Sequence, residues 1–290
     1  MEERVYNTVW GLGVRLRSFV KRIRFLIPLE SAMLKFAPYL IPPPSKETKV
    51  LLPSGMTMII PPGMPSARSF ATGLYENDVA EVFTDSVTDG MTVVVVGANV
   101  GYHALLASFL VGSKGRVYAF EPDTRNYTYL VRNIQSNNCL NVKTIQKAAS
   151  NSSDSATFIV DKYGVDGHLS SSLSSSARAE MVQTISLDEY FFTESWPTVN
   201  VVVLDVEGGE YTVLQGMREL SRRNPQMSLI MECHISILRH NGVSIQNVSN
   251  LLNELGFHNG YIIGQSAKPF HIDNGLPRSR AAYDLLLEKE

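Results

Sequence analysis

Apolar residues recur along this chain with two different periods, and the alternation between them predicts the order of its elements. Over 92–97 and 116–121 the sequence runs through β-branched and aromatic residues, which is typical of strands buried on both faces. Between such runs, apolar residues recur at the three- and four-residue spacing of helices. From about residue 73 onward the two patterns alternate, which predicts an α/β domain with a mostly parallel sheet and helices on both faces.

Seven strands and five helices are predicted in this region. The strands lie at 92–97, 116–121, 141–147, 199–205, 228–233, 259–263 and 281–287. The helices lie near 74–88, 101–111, 124–137, 210–222 and 245–255. Between the third and fourth strands the chain makes a longer excursion over 150–192. Its serine-rich tract at 168–180 is too polar for a core and is expected to form a mobile loop.

The first 44 residues differ from the rest in charge. They contain seven basic and three acidic residues, a net charge of +4, whereas the whole 290-residue chain carries −2. Apolar positions recur there at helical spacing until the prolines at 42–44 end the pattern. We therefore predict a basic amphipathic helical extension over 1–48, a short β-hairpin and linker over 49–72, and the α/β domain over 73–290. The extension is expected to pack on the domain or on a second copy, or to lie on an anionic membrane surface.

Composition narrows the class of protein. An apolar content of 44% and a charged content of 19% are ordinary for a soluble globular protein, and a net charge of −2 gives no reason to expect a nucleic-acid partner. The two cysteines, Cys139 and Cys233, do not suggest a disulfide framework. No uncharged apolar run reaches the length of a membrane span. A cytoplasmic location is therefore expected, with peripheral membrane contact as an option through residues 1–44.

A glycine turn and a carboxylate indicate a cofactor. The first strand of the domain ends in Gly97-Ala98-Asn99-Val100-Gly101, and the second ends on Glu121, about twenty residues past the turn. Glycine lets the backbone approach a ligand where a Cβ atom would collide, and a carboxylate at a strand tip can accept hydrogen bonds from both ribose hydroxyls. Asn99 stands where a dinucleotide fold usually has its second glycine. A cofactor without phosphates, S-adenosylmethionine, therefore fits the turn better than a nicotinamide dinucleotide does.

Five segments occur in a characteristic order and spacing. They are GMTVVVVGANVGYHALLAS, GRVYAFEPDTRNYTYLVRNIQSNN, SLDEYF, LDVEGGEYTVLQGM and LIMECH. Together they resemble the FkbM family of S-adenosylmethionine-dependent methyltransferases, from about Tyr75 to His234 and more weakly beyond. The resemblance implies a class I methyltransferase (Rossmann-like) sheet of seven strands. It also implies, usually, O-methylation of a hydroxyl on a sugar, polyketide or similar metabolite. We therefore predict a sugar, a lipid-linked glycan or a secondary metabolite as the acceptor.

The resemblance also assigns residues to roles. Gly97, Ala98, Asn99 and Gly101 would form the loop on the methionine side of the cofactor, and Glu121 would hold its ribose. The residues that match the family's D-x-E-G-x-E segment after the fourth strand are Asp205, Glu207, Gly208 and Glu210.

Two positions depart from the family's pattern. The family commonly has Asp two residues before the first glycine of the turn, where this chain has Val95, and Lys two residues before the D-x-E-G aspartate, where it has Val203. The missing Asp usually anchors the turn or the ammonium end of the cofactor. A protein that binds S-adenosylmethionine with weakened catalysis is therefore the alternative to an active O-methyltransferase.

The candidate catalytic residues follow the fourth and fifth strands, at Asp205, Glu207 and His234. A hydroxyl nucleophile needs a base, because its proton becomes acidic as the new bond forms. His234 is the first candidate for that base, while Asp205 is also expected to contact the cofactor. Glu232 is expected to face away from the site or to brace a helix N-terminus. The three candidates could also gather a divalent metal, but they lack tight ligand spacing, so no metal site is predicted.

Overall fold

The structure is a computed structural model that describes residues 43–72, 75–160, 167–169, 178–264, 269–276 and 282–289. The predicted extension over 1–48 lies almost entirely outside these ranges, and so does most of the serine-rich tract. Within the described ranges, no helix is both long enough and apolar enough to cross a membrane.

Among the described residues, eight strands form the central sheet. In chain order they are β3 (Thr92–Val96), β4 (Arg116–Phe120), β5 (Val142–Ile145), β10 (Val201–Leu204), β11 (Ser228–Cys233), β12 (Phe257–Ile262), β13 (Pro269–His271) and β14 (Tyr283–Lys289). Their order across the sheet is β13-β12-β14-β11-β10-β3-β4-β5. The five strands from β11 to β5 are parallel, and β14 is antiparallel to both of its neighbours. This is the predicted class I methyltransferase sheet, with β13 as an eighth strand that the sequence did not reveal because it has only three residues and begins with proline.

The valine run of β3 explains why the sheet has a core on each face. Residues 93–96 are all at most 1% exposed. Because successive side chains of a strand point to opposite faces, Val94 and Val96 pack in one apolar cluster and Val93 and Val95 in the other. The first cluster also contains helix residues such as Leu214, and the second contains helix residues such as Leu105. The prediction that helices cover both faces is thus confirmed.

Nine α-helices and one short 3-10 helix, Ile272–Asn274, lie in the described ranges. The α-helices are α1 (Ala67–Thr72), α2 (Asn77–Ser86), α3 (Tyr102–Val111), α4 (Thr124–Ser136), α5 (Leu187–Thr193), α6 (Glu210–Gln215), α7 (Arg218–Arg223), α8 (Ile235–His240) and α9 (Ile245–Glu254). The helix predicted over 210–222 is divided at Gly216, where an added Cβ atom would lie 2.0 Å from the carbonyl oxygen of Ser150. This close approach to the chain after β5 is invisible to helical periodicity.

The predicted hairpin is present and is attached to the α/β domain. It consists of β1 (Thr48–Leu51) and β2 (Thr57–Ile60), which pair antiparallel around the turn. The backbone N–H of Ile59 donates to Oδ1 of the buried Asn133 on α4 at 2.6 Å, and Asn133 donates back to the Ile59 carbonyl at 3.0 Å. The hairpin therefore shares its packing with the domain that follows it.

The excursion between β5 and β10 contains a second, smaller sheet. Its strands are β6 (Ala148–Ser150), β7 (Ser155–Val160), β8 (Gly167–Leu169) and β9 (Arg178–Ser186), in the order β6-β9-β7-β8. The expectation of a mobile loop over 168–180 is wrong at both of its ends, which belong to β8 and β9, while 170–177 lie outside the described residues. Pairing between β7 and β9 buries Phe158 and Val182 in a small apolar cluster. Burial of these side chains stabilises the strands that flank the polar serine-rich tract.

Candidate active site

A pocket lies beyond the carboxyl ends of β3, β4 and β10, the edge where open α/β sheets bind ligands. Five of the eight predicted site residues line it, namely Gly97, Asn99, Glu121, Asp205 and Glu207. Ala98, Gly101 and His234 are not in its wall. Three acidic or phenolic side chains that the sequence did not single out for the pocket also line it, namely Tyr75, Glu76 and Glu232.

The turn after β3 requires glycine at its first position. Gly97 has a φ of +85°, and an added Cβ atom would lie only 1.7 Å from the carbonyl oxygen of Asp205. The N–H groups of Gly97 and Ala98 both donate to the carbonyl oxygen of Phe120, at 3.1 and 2.8 Å. The turn after β3 therefore contacts the residues at the ends of both neighbouring strands, β4 and β10. Gly97, which has no side chain, lines the pocket there.

Glu121 is held by the same turn. Its Oε2 accepts a hydrogen bond from the N–H of Asn99 at 2.8 Å, and its Oε1 accepts one from the N–H of Asp123 at 2.9 Å. Burial of this side chain, which is 4% exposed, raises its pKa to about 8 despite these two hydrogen bonds. Each carboxylate oxygen retains a lone pair for a ligand hydroxyl.

Gly101 and Ala98 lie behind the turn. Gly101 has a φ of +105° and precedes α3, and an added Cβ atom would lie 2.9 Å from Cδ1 of Leu130 on α4. Ala98 is 3% exposed and packs in an apolar cluster. Both residues are packed against the domain behind the turn. Direct contact of Gly101 and Ala98 with a cofactor stays a prediction.

The opposite end of the pocket is rich in carboxylates. Asp205 follows β10, and its N–H donates to the Val96 carbonyl at 3.0 Å. Its Oδ1 is closed to solvent and accepts no hydrogen bond from the part of the chain that the structure describes. Burial and the negative charge of Glu232 raise the pKa of Asp205 well above its usual value. This side chain is thus placed where a ligand could satisfy it.

His234 lies among three carboxylates directly after β11. Its Nδ1 is 3.3 Å from Oε1 of the fully buried Glu210, and its Nε2 is 3.2 Å from both Oε2 of Glu207 and Oε1 of Glu232. Burial lowers the pKa of His234, but the carboxylates outweigh it and raise the pKa to about 9. In this arrangement the imidazole is protonated at neutral pH.

Glu232 is the clearest error of the sequence interpretation. It was expected to face away or to brace a helix N-terminus, yet it lines the pocket and contacts His234. Burial raises its pKa to about 7, although the positive charge of His234 opposes this. The missed signal is the two-residue spacing of Glu232 and His234, because alternate residues at a strand end share a face.

Glu76 precedes α2 and approaches the same end of the pocket. It has a φ of 42°, an uncommon conformation for a residue with a side chain, which is often retained at functional sites. Burial raises the pKa of Glu76, but the neighbouring His103, with Nε2 at 3.2 Å, outweighs this and holds the pKa below its usual value. Glu76 is therefore an ionised carboxylate in the wall of the pocket.

The two departures from the family pattern lie side by side. Val95 on β3 and Val203 on β10 are register partners, 1% and 3% exposed, in one apolar cluster. An Asp and a Lys at these positions would face each other as a buried acid–base pair. Replacing such a pair by packed apolar residues is often neutral or stabilising. The two departures together therefore place two packed valines where the family commonly has an acid–base pair. The backbone hydrogen bonds from Gly97 and Ala98 to Phe120 are present beside them.

Comparisons with known proteins agree with this geometry. Residues 96–258 match the sequence model of the methyltransferase FkbM domain. The chain is 29% identical over 179 residues to the hexuronic acid methyltransferase AglP of Haloferax volcanii, which covers 62% of this chain and 68% of that protein.

Two solved structures are similar at lower identity. A SAM-dependent methyltransferase from Aquifex aeolicus is 17% identical, with 72% of this chain and 88% of that chain covered and a TM-score of 0.42. Aeropyrum pernix fibrillarin with natively bound S-adenosyl-L-methionine is 14% identical, with 73% and 74% covered and a TM-score of 0.43. The family match extends over more than half of the chain and contains the turn, Glu121 and the carboxylates after β10. The chain therefore belongs to the FkbM family of S-adenosylmethionine-dependent methyltransferases.

Proposed function

We propose that this chain binds S-adenosylmethionine in the pocket at the turn and transfers its methyl group to a hydroxyl of a sugar-type acceptor. The observation that carries this proposal is the arrangement within one pocket. The buried, hydrogen-bonded Glu121 lies on one side of the turn, and a group of carboxylates lies on the other.

The two ends of the pocket match the two ends of the cofactor. Near Glu121 the wall contains apolar side chains suited to an adenine ring, namely Phe120, Pro122, Phe158 and Val160. Glu121 can accept hydrogen bonds from both ribose hydroxyls. The other end contains Glu76, Asp205, Glu207 and Glu232. S-adenosylmethionine carries a positive sulfonium and a positive ammonium on its methionine side, so this negative end favours the charged half of the cofactor.

The chemistry needs alignment and a proton acceptor. The acceptor oxygen attacks the methyl carbon in line with sulfur, so that the new C–O bond forms as the C–S bond breaks and S-adenosylhomocysteine leaves as a neutral thioether. The hydroxyl proton passes to a side chain of the site. Asp205, Glu207 and His234 remain the proposed catalytic residues, because they follow the adjacent strands β10 and β11 at the end of the pocket where the methyl group would lie. Since the pKa of His234 is raised to about 9, this residue accepts the proton only in its neutral form.

A sugar-type acceptor is supported by the similarity to AglP, whose name gives a hexuronic acid as its substrate. The test is a transfer assay with S-adenosylmethionine that carries a labelled methyl group, offered to hexuronic acids, neutral sugars and lipid-linked glycans. We expect label in at least one sugar-type acceptor, at a position resistant to mild ester hydrolysis, as a methyl ether is. Label that mild base removes would contradict hydroxyl methylation.

The alternative, a cofactor-binding protein with weakened catalysis, is supported by Val95 and Val203. It predicts that S-adenosylhomocysteine binds while no acceptor is methylated. Calorimetry with S-adenosylhomocysteine before the transfer assay separates the two. An absence of binding would contradict both proposals.

A further inference from the structure

Three potential metal ligands converge beside the pocket. Nε2 of His234 lies 3.2 Å from Oε2 of Glu207 and 3.2 Å from Oε1 of Glu232. One ligand atom from each of the three residues can be chosen so that all lie within 4.8 Å of one another. A single N–H on Nε2 cannot point at two carboxylates at once. Two carboxylate oxygens therefore surround Nε2, although one N–H group can donate a well-aligned hydrogen bond to only one of them.

The spacing fits a divalent cation. Neighbouring ligands of an octahedral ion with bonds of about 2.0–2.5 Å lie about 2.8–3.5 Å apart, because the bonds meet at right angles. The two separations of 3.2 Å from Nε2 fall inside that range. These two separations therefore suit Nε2 and either carboxylate oxygen as adjacent ligands of one ion.

The other nitrogen of His234 is oriented as it is in many metal sites. Glu210 is fully buried, and its Oε1 is 3.3 Å from Nδ1 of His234 while also accepting the N–H of Gly208 at 2.9 Å. Metal-binding histidines usually donate their second N–H to such a carboxylate, which fixes the ring and turns the other nitrogen toward the ion. Glu210 thus turns Nε2 toward Glu207 and Glu232.

Asp205 offers a further potential ligand atom in the wall of the pocket. Oδ1 of Asp205 is closed to solvent and has no hydrogen-bond partner in the described ranges. Asp205 lines the pocket together with Glu207 and Glu232, and these two carboxylates act on it electrostatically. Burying an unpartnered carboxylate oxygen is unfavourable unless something else satisfies it. A cation with its water shell would do so.

We propose that Glu207, Glu232 and His234 bind one divalent cation at the carboxylate end of the pocket. Two carboxylates and one imidazole suit Mn²⁺ best, with Mg²⁺ as the other candidate, since oxygen donors favour these ions and one nitrogen is tolerated. Three ligands leave positions open for water or for an acceptor oxygen. The role of the ion in holding that oxygen rests on the proposed function, whereas binding of the ion does not. In the metal-bound state His234 has released its Nε2 proton to solvent and is a ligand, and the proton acceptor is Asp205.

The test measures Mn²⁺ alone. The full chain is stripped with a chelator, and free Mn²⁺ is followed by its electron paramagnetic resonance signal during a titration. We expect one saturable site per chain and at least a tenfold weaker affinity in Glu232→Gln. Glu207→Gln, in a side chain that is only partly buried, should weaken binding equally and guards against misfolding of the first variant. Glu81→Gln, an exposed carboxylate on α2, is the matched control and should bind as the unmodified chain does.

Two outcomes would overturn the metal site. One is an absence of saturable Mn²⁺ binding, and the other is equal affinity in the unmodified chain and in both ligand variants. Calorimetry with S-adenosylhomocysteine on the same samples separates this inference from the proposed function. Cofactor binding without Mn²⁺ binding would refute the metal site alone. Mn²⁺ binding without cofactor binding would refute the proposed function alone.

Discussion

Replacing Glu121 by glutamine should weaken cofactor binding, although it only exchanges one carboxylate oxygen for an NH2 group. In the native turn both carboxylate oxygens face backbone donors, Oε2 the N–H of Asn99 and Oε1 the N–H of Asp123. Glutamine offers one oxygen and one NH2 group, so one of these N–H groups would face another donor. The cofactor would also lose a charged acceptor for one ribose hydroxyl.

The magnitude follows from the charge of the acceptor. A hydrogen bond to a charged group contributes about 1.5–3 kcal/mol, so above about pH 8, where Glu121 is charged, Glu121→Gln should weaken S-adenosylhomocysteine binding by roughly 10- to 150-fold. Isothermal titration calorimetry measures this directly, with Glu81→Gln as the control and circular dichroism as the check on folding. An unchanged dissociation constant in a folded Glu121→Gln protein would refute the assignment of the ribose site.

The same carboxyl should make binding depend on pH. Burial raises the pKa of Glu121 to about 8, so below that pH the free protein holds it protonated. Ribose hydroxyls donate to the charged form, so binding displaces the proton, and affinity should rise by up to about tenfold per pH unit between about pH 6 and 8. This rise should be absent from Glu121→Gln. The same pH dependence in both proteins would show that another group causes it.

Three further predictions concern the carboxylate end of the pocket and the N-terminal segment. His234→Ala should lower turnover by roughly 10²–10⁴ while leaving the affinity for S-adenosylhomocysteine nearly unchanged. Asp205→Asn should lower both turnover and affinity. Full activity in His234→Ala would show that this residue is not catalytic. Glu76→Gln should weaken S-adenosylhomocysteine binding roughly tenfold or more yet leave 5′-methylthioadenosine binding unchanged, because only the former carries an ammonium. Equal losses for both ligands would place Glu76 away from the methionine side. If residues 1–44 lie on membranes, the full chain should sediment with anionic liposomes and a chain that begins at Lys46 should not; equal and negligible sedimentation would leave packing or dimerisation.

Local sequence patterns were sufficient for the parallel sheet and the turn. The valines of β3 are buried on both faces, as a continuous apolar run predicts, and Gly97 has the close contact that its place in the turn suggests. The segment 168–180 was misjudged because its strands are stabilised by pairing between β7 and β9, residues distant in sequence. The composition of 168–180 is dominated by the six serines between these strand residues, so it gives no sign of the pairing.

The carboxylate end of the pocket was only partly predictable. Asp205, Glu207 and His234 follow strand ends that must lie side by side in a parallel sheet, so their proximity could be expected. Glu76 comes from a segment before the sheet begins, and its conformation at φ 42° has no local signature. Glu210 was recognised only as part of a motif, and its contact with His234 depends on how α6 packs against β11.

The central claim is that S-adenosylmethionine binds across the turn, with its ribose on Glu121 and its methionine side toward Asp205. A crystal structure of the chain with S-adenosylhomocysteine tests it most directly. The account predicts both ribose hydroxyls within hydrogen-bond distance of the Glu121 carboxylate and the sulfur at the carboxylate end, beyond Gly97. A ligand bound elsewhere, or bound in this pocket with its ribose away from Glu121, would contradict the account.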